Sequence, residues 1–240
     1  MAELEAHAIW LSLQVAVVTV LIATPLSVVL ATLMARTHWR GKLLLDTLIL
    51  LPMGLPPAVI GFALLMGLGR DGELGAWLQH TLGWQLDFFP TGVVLAACLM
   101  TVPLMVRLLR PAFEATDPML LPVARSLGAS RWQAWRTVSL PMVAPAVASA
   151  VALGLAAAWG ESGATLVLAA SLHGQALGEP TAPVALVQAL QHPDSSDSAW
   201  NLAAISLGVA VLAVGGSELA RARWRRLWQT RLQVSPQAPR

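Results

Sequence analysis

With 240 residues, 56% hydrophobic and only 12% charged, and a mean hydropathy of +0.66, the chain falls outside the range of water-soluble domains. The 15 basic and 13 acidic residues leave a net charge of +2, and the basic tail RARWRRLWQTR, which could suggest nucleic acid, lies beside an apolar block where it reads more simply as an interfacial anchor. The single cysteine, Cys98, sits in an apolar block and excludes disulfide or cysteine–metal chemistry.

No Asp, Glu, Lys or Arg occurs between Ala6 and Ala35, Thr47 and Gly69, Phe88 and Val106, Thr137 and Gly160, or Ser198 and Ser217. A helix needs about 20 such residues to cross ~30 Å of hydrocarbon, so the pattern predicts an all-α membrane protein with about five transmembrane helices in one domain, 1–240. The N-terminus, MAELEAHAIW, carries Glu3 and Glu5 in place of the basic region of a cleavable signal, and the first span is expected to be retained.

Span 1 is placed at about 9–34, with Pro25 predicting a kink. Span 2, about 43–68, contains Pro52, Pro56 and Pro57 in LPMGLPPAVIG, which a regular helix cannot accommodate without a break or a sharp bend. Such a break marks either a pathway wall or a kink that serves packing. The following loop, 69–89, holds a helix-like segment, GELGAWLQHTLG, with Trp77 and Trp84 as interface anchors. Span 3 is about 90–109, with Pro103 predicting a bend and Thr101 supplying a hydroxyl.

Span 4, about 142–170, would be ~45 Å long as one helix from Pro141 and is expected to break at Gly160 or Gly163. The stretch 171–197 is too rich in Gly, Pro, Gln and His to cross a bilayer and reads as a loop. Span 5, about 199–219, carries Gly208, Gly215 and Gly216, which would admit close helix contacts. Residues 233–240 read as a disordered tail. The five histidines fall in expected loops without metal-ligand spacing, so neither a metal nor another cofactor is expected.

With the N-terminus outside and the C-terminus cytoplasmic, 14 of the 15 basic residues fall on the inner face and only Arg70 lies outside. The basic tail RARWRRLWQTR then reads as an interfacial anchor with Trp224 and Trp228 at headgroup level. The polar stretch 114–141, EATDPMLLPVARSLGASRWQAWRTVSLP, becomes a cytoplasmic loop. Asp117 and Pro118 signal a helix start, and Leu121, Ala124, Leu127 and Gly128 share a face opposite Arg125. A second short helix is expected from Ser130 through Trp132 and Trp135. The pair could lie on lipid headgroups as basic, aromatic amphipathic segments do.

The run Ala124, Arg125, Ser126, Leu127, Gly128, Ala129, Ser130, followed by Val138-Ser139-Leu140-Pro141, resembles the signature cytoplasmic loop of permease subunits in bacterial ATP-binding-cassette importers. In that family a Glu-Ala-Ala triplet precedes the Gly by four residues, and Ile-x-Leu-Pro follows ten after it; here Pro122-Val123 replace Glu-Ala, and Val138 replaces Ile. The resemblance implies a coupling helix that docks in a cleft of a cytoplasmic ATPase, with Leu140 and Pro141 leading back into the membrane. It further implies a homodimer of permeases, a periplasmic or other extracytoplasmic substrate-binding protein, and residence in the bacterial inner membrane. LPMGLPPAVIG, VVLAACLMTVPLMVRLLRPAFEATD and Gly160-Glu161-Ser162-Gly163-Ala164-Thr165 are similar to the molybdate branch, over most of the chain from Trp10 to Arg221. Tungstate, sulfate and thiamine importers share this layout, and after Thr165 the Asn-x-x-Gly and Thr-Arg-Thr run of molybdate permeases is absent.

The only lysine, Lys42, precedes Leu43 and no phosphate-binding loop occurs, so any ATPase must be another chain. No cation lies deep in a span; Pro56, Pro57, Thr101, Gly160, Glu161, Ser162, Gly163 and Thr165 are the candidate pathway residues of a low-affinity conduit. Glu161 reads as a capping or cross-helix hydrogen-bonding group, with gating as the other possibility. An intramembrane enzyme would need a second catalytic group near Glu161, and no span supplies one. A membrane scaffold would leave the broken spans without a purpose.

Overall fold

The charge-free blocks fold as helices, and no strand occurs among the described residues. The computed structural model describes residues 2–36, 40–69, 72–82, 88–170, 180–191 and 196–233. The expectations for Arg70, Trp84, the histidines His38, His173 and His192 and the tail beyond 233 lie outside them, as do the side chains of Trp224 and Trp228.

Four helical stretches are long and apolar enough to cross a membrane: Glu5–Arg36, Pro90–Glu114, Arg131–Ala170 and Ser196–Ala222. A fifth candidate is a bent pair, α2 (Lys42–Gly54) and α3 (Pro57–Leu68), whose axes meet at 107°. This is the break expected from the prolines. Leu55 and Pro56 are extended, with ψ of 145° and 134°, and Pro57 starts the new helix.

α1 (Ala2–Arg36) runs as helix through Pro25, and α4 (Glu73–Leu82) is the helix expected in the following loop. A π-helical turn, Phe88–Gly92, opens α5 (Val93–Glu114). α1 and α5 form the centre of the bundle. The alanines Ala16, Ala23 and Ala31 recur about every two turns of α1 and are fully buried, which lets the backbones approach. Ser27 Oγ donates to the Val102 carbonyl at 3.3 Å and Cys98 Sγ to that of Thr19 at 3.8 Å, so these two helices run parallel. Met34, Met105, Leu109, Phe113 and Val143 close the core where α1 and α5 end.

α8 (Leu140–Trp159) packs on α1 and α5 and leads through Gly160–Ser162 into α9 (Gly163–Ala170), so the break falls where the glycines predict. α11 (Ser196–Gln233) runs antiparallel to α8: Ser149 Oγ donates to the Ser217 carbonyl at 3.2 Å and Trp159 Nε1 to Ser206 Oγ at 3.3 Å.

Several expectations need correction. The stretch 171–197 is not all loop, because α10 (Ala182–Leu190) lies within it, packed on α1 and α11. Thr181 at its start and Pro183 in its first turn were the available signal, and Ala182 N–H donates to Ser12 Oγ at 2.7 Å. α5 continues to Glu114 and α11 to Gln233, beyond the expected span ends, because polar residues outside the hydrocarbon can extend a helix. Gly208, Gly215 and Gly216 face open space, so they mediate no close helix contact among the described residues. His7 lies in α1 and not in a loop, and His80 lies in α4, the helical segment expected within the 69–89 loop.

Candidate functional site

The polar stretch is gathered at the end of the bundle where α1 and α5 finish and α8 begins. Asp117 Oδ1 accepts from Met119 N–H at 2.9 Å, which makes a capped turn before the helix and delays its start: α6 spans Leu120–Ser126 and not the residues from Pro118.

Gly128 ends α6 in the left-handed region, with φ +94°. Gly128 N–H donates to the Arg125 carbonyl at 3.0 Å and Ala129 N–H to that of Ala124 at 3.1 Å. These are the paired bonds of a Schellman motif, with glycine at the position that a side chain would strain. The glycine that carries the family resemblance is therefore required locally by the backbone turn.

Ser130 then starts α7 (Arg131–Ala134) with a capping box: Gln133 N–H donates to Ser130 Oγ at 3.2 Å, and Ser130 N–H to Gln133 Oε1 at 3.0 Å. The expected second helix is not separate. It passes through a π-helical turn, Trp135–Ser139, directly into α8 at Leu140 and Pro141, so the loop is rigidly continuous with a span. Trp135 stacks on Trp132 at 5.0 Å and donates from Nε1 to Thr32 Oγ1 at 3.3 Å, which ties the loop to α1.

Leu121 and Ala124 of the expected apolar face are half-buried. Met119, Val123, Leu127 and Trp132 point outward, and Leu127 is 83% exposed. Arg125 and Ser126 are exposed beside them. The result is a fixed apolar prominence with a basic group, held by caps and an aromatic stack.

The candidate pathway residues separate into two places. Pro57 and Gly163 meet: a Cβ on Gly163 would stand 2.7 Å from Pro57 Cβ. The break between α2 and α3 thus abuts the break between α8 and α9, bringing Pro56, Gly160, Glu161 and Ser162 into one neighbourhood of exposed and half-buried groups. Glu161 Oε1 accepts from Ala164 N–H at 2.9 Å and caps α9, as the capping reading expects. Thr101 and Thr165 are fully buried, with hydroxyls that have no hydrogen-bond partner among the described residues. Thr101 faces α8, where a side chain on Gly154 would lie 3.2 Å from its methyl.

Arg110, near the end of α5, donates from Nη1 to Asp46 Oδ1 at 2.6 Å and from Nε to Glu114 Oε1 at 2.7 Å. Sequence reading did not pair Arg110 with Asp46, because Asp46 lies 64 positions away and carries no local pattern that points to it.

Residues 23–217 match the family described as "Binding-protein-dependent transport system inner membrane component". The chain is 38% identical to the molybdenum transport system permease protein ModB of Escherichia coli (strain K12), over 90% of this chain and 94% of that one. It is 35% identical to ModB of Haemophilus influenzae, over 90% and 93%, and 37% identical to the sulfate transport system permease protein CysW of Escherichia coli, over 72% and 60%. Its fold is similar to that of a bacterial ABC transporter involved in import of the polysaccharide alginate, with a TM-score of 0.66 at 16% identity over 94% of this chain and 80% of that one.

Proposed function

Because the chain belongs to the binding-protein-dependent transport system inner membrane components, we propose that it is the membrane-spanning permease subunit of an ATP-driven importer for molybdate. The single observation that carries the substrate is its identity with two molybdenum permeases along nearly their full length, against a shorter match to the sulfate relative.

The geometry supports the following mechanism. The prominence around Leu127 faces the cytoplasm and docks on a separate ATPase subunit. A second copy of the chain completes the pathway, an extracytoplasmic binding protein delivers the oxyanion, and the assembly resides in the bacterial cytoplasmic membrane with its N-terminus outside. ATP is hydrolysed by the partner and not by this chain, which carries no phosphate-binding loop. The abutting breaks at Pro57 and Gly163 are the movable part of the conduit, and substrate is selected mainly by the binding protein.

Reconstitution in proteoliposomes with the ATPase and the binding protein tests this reading. ATP-dependent uptake of molybdate is expected, with sulfate competing poorly; uptake of sulfate in preference to molybdate, or uptake without ATP, contradicts it.

Glu161 separates the capping role from the gating role. Glu161→Gln keeps the acceptor for Ala164 N–H and is expected to import normally, whereas Glu161→Ala removes the cap and lowers the stability of the purified chain by about 1 kcal/mol. Loss of uptake in the glutamine variant at unchanged stability would show that the charge itself is needed.

A further inference from the structure

α2 is weakly held. It has no buried residue, its main packing partner is α5, and Leu43, Leu44 and Leu48 are exposed at 76%, 75% and 63%. Arg110 supplies the polar link that apolar packing does not, through the short bonds to Asp46 and Glu114 described above. Exposed ion pairs contribute little, but only 19% of the Asp46 side chain and 30% of that of Arg110 is exposed, and one guanidinium serves two carboxylates.

The position of this link gives it a role. Glu114 is the last residue of α5 and the first of the polar loop, while Asp46 lies in the first turns of α2. α2 leads through the 107° bend to α3, and α3 meets the α8–α9 break at Pro57 and packs on α9 at Gly61. A displacement of the loop is thereby handed to a rigid helix that ends at the paired breaks.

We propose that Arg110 is a positioning residue of the transport cycle, a strut that makes α2 and α3 follow the loop. The inference rests on the permease reading but concerns residues outside the docking surface. When the partner binds ATP and moves the loop, the Arg110–Asp46 bond carries α2 with it; without that bond the loop moves and the breaks do not.

The test uses the complete reconstituted importer with wild type, Asp46→Asn, Arg110→Gln and the swapped pair Asp46→Arg with Arg110→Asp. Each single variant is expected to lower molybdate uptake per ATP hydrolysed about tenfold, as loss of a charge-assisted bond allows. ATP hydrolysis stimulated by the binding protein stays near wild type, and the swapped pair recovers most of the ratio. A ratio unchanged in the single variants overturns the strut. So does a parallel fall of uptake and hydrolysis, which would make the pair merely structural.

A second readout needs no transported substrate: spin labels at Leu48 on α2 and Leu190 on α10, both exposed, change separation on ATP binding in the wild type and not in Asp46→Asn. The same change in both proteins overturns the proposal. A wild-type complex that fails to import molybdate would instead strike at the substrate, and the labels would still judge the strut.

Discussion

Tryptophan at position 128 is expected to abolish ATP-driven molybdate uptake while leaving the chain in the membrane at wild-type levels. Gly128 has φ +94°, a conformation that costs an L-residue about 1–2 kcal/mol, and both bonds of the Schellman motif depend on it. A Cβ there meets nothing within 4 Å, so the damage is expected from the backbone and from bulk placed on the proposed docking surface, and not from a clash inside the bundle. Gly128→Ala separates the two effects. It carries the backbone strain alone and should weaken association with the ATPase without eliminating it. Co-purification of the ATPase with each variant reads this directly, and full association of the tryptophan variant would contradict the role assigned to the loop.

Leucine at position 61 is expected to lower the thermal midpoint of the purified chain and to stop import. A Cβ on Gly61 would stand 2.7 Å from the Ala164 carbonyl oxygen and 2.9 Å from its Cα, with Val167 Cβ at 3.1 Å. Two of these atoms are backbone and cannot swing aside, so α3 must move away from α9; overpacking of this kind costs about 1–3 kcal/mol or more. Gly67, on the same helix, has nothing within 4 Å of its would-be Cβ, and Gly67→Leu should be tolerated. Equal midpoints for the two variants would show that the contact between α3 and α9 does not hold the breaks together.

The parts legible in the sequence were those governed by local chemistry. Three prolines within six residues forced the break before Pro57, uncharged runs announced the spans, and the glycine four residues after Ala124 announced the turn. Glu161 was readable as a cap because its partner, Ala164, is three residues away. What escaped depended on distant parts of the chain. α10 is only nine residues long and is stabilised by burial of Ala182 and Val184 and by the bond to Ser12, 170 positions away. The Arg110–Asp46 pair joins two helix ends that no periodicity connects. The second short helix expected from Ser130 does not stop before Leu140-Pro141, because proline is tolerated in the first turn of a helix and the chain passes through the π-helical turn into α8 without interruption.

In the proposed mechanism, the loop transmits ATP-driven motion only if it docks on an ATPase. Site-specific photocrosslinking from Leu127, the most exposed large apolar residue of the loop, tests it in the assembled complex. A crosslink to the ATPase subunit is expected, with the yield lost in the Gly128→Trp background. Crosslinks confined to lipid, or to the extracytoplasmic binding protein, would contradict it.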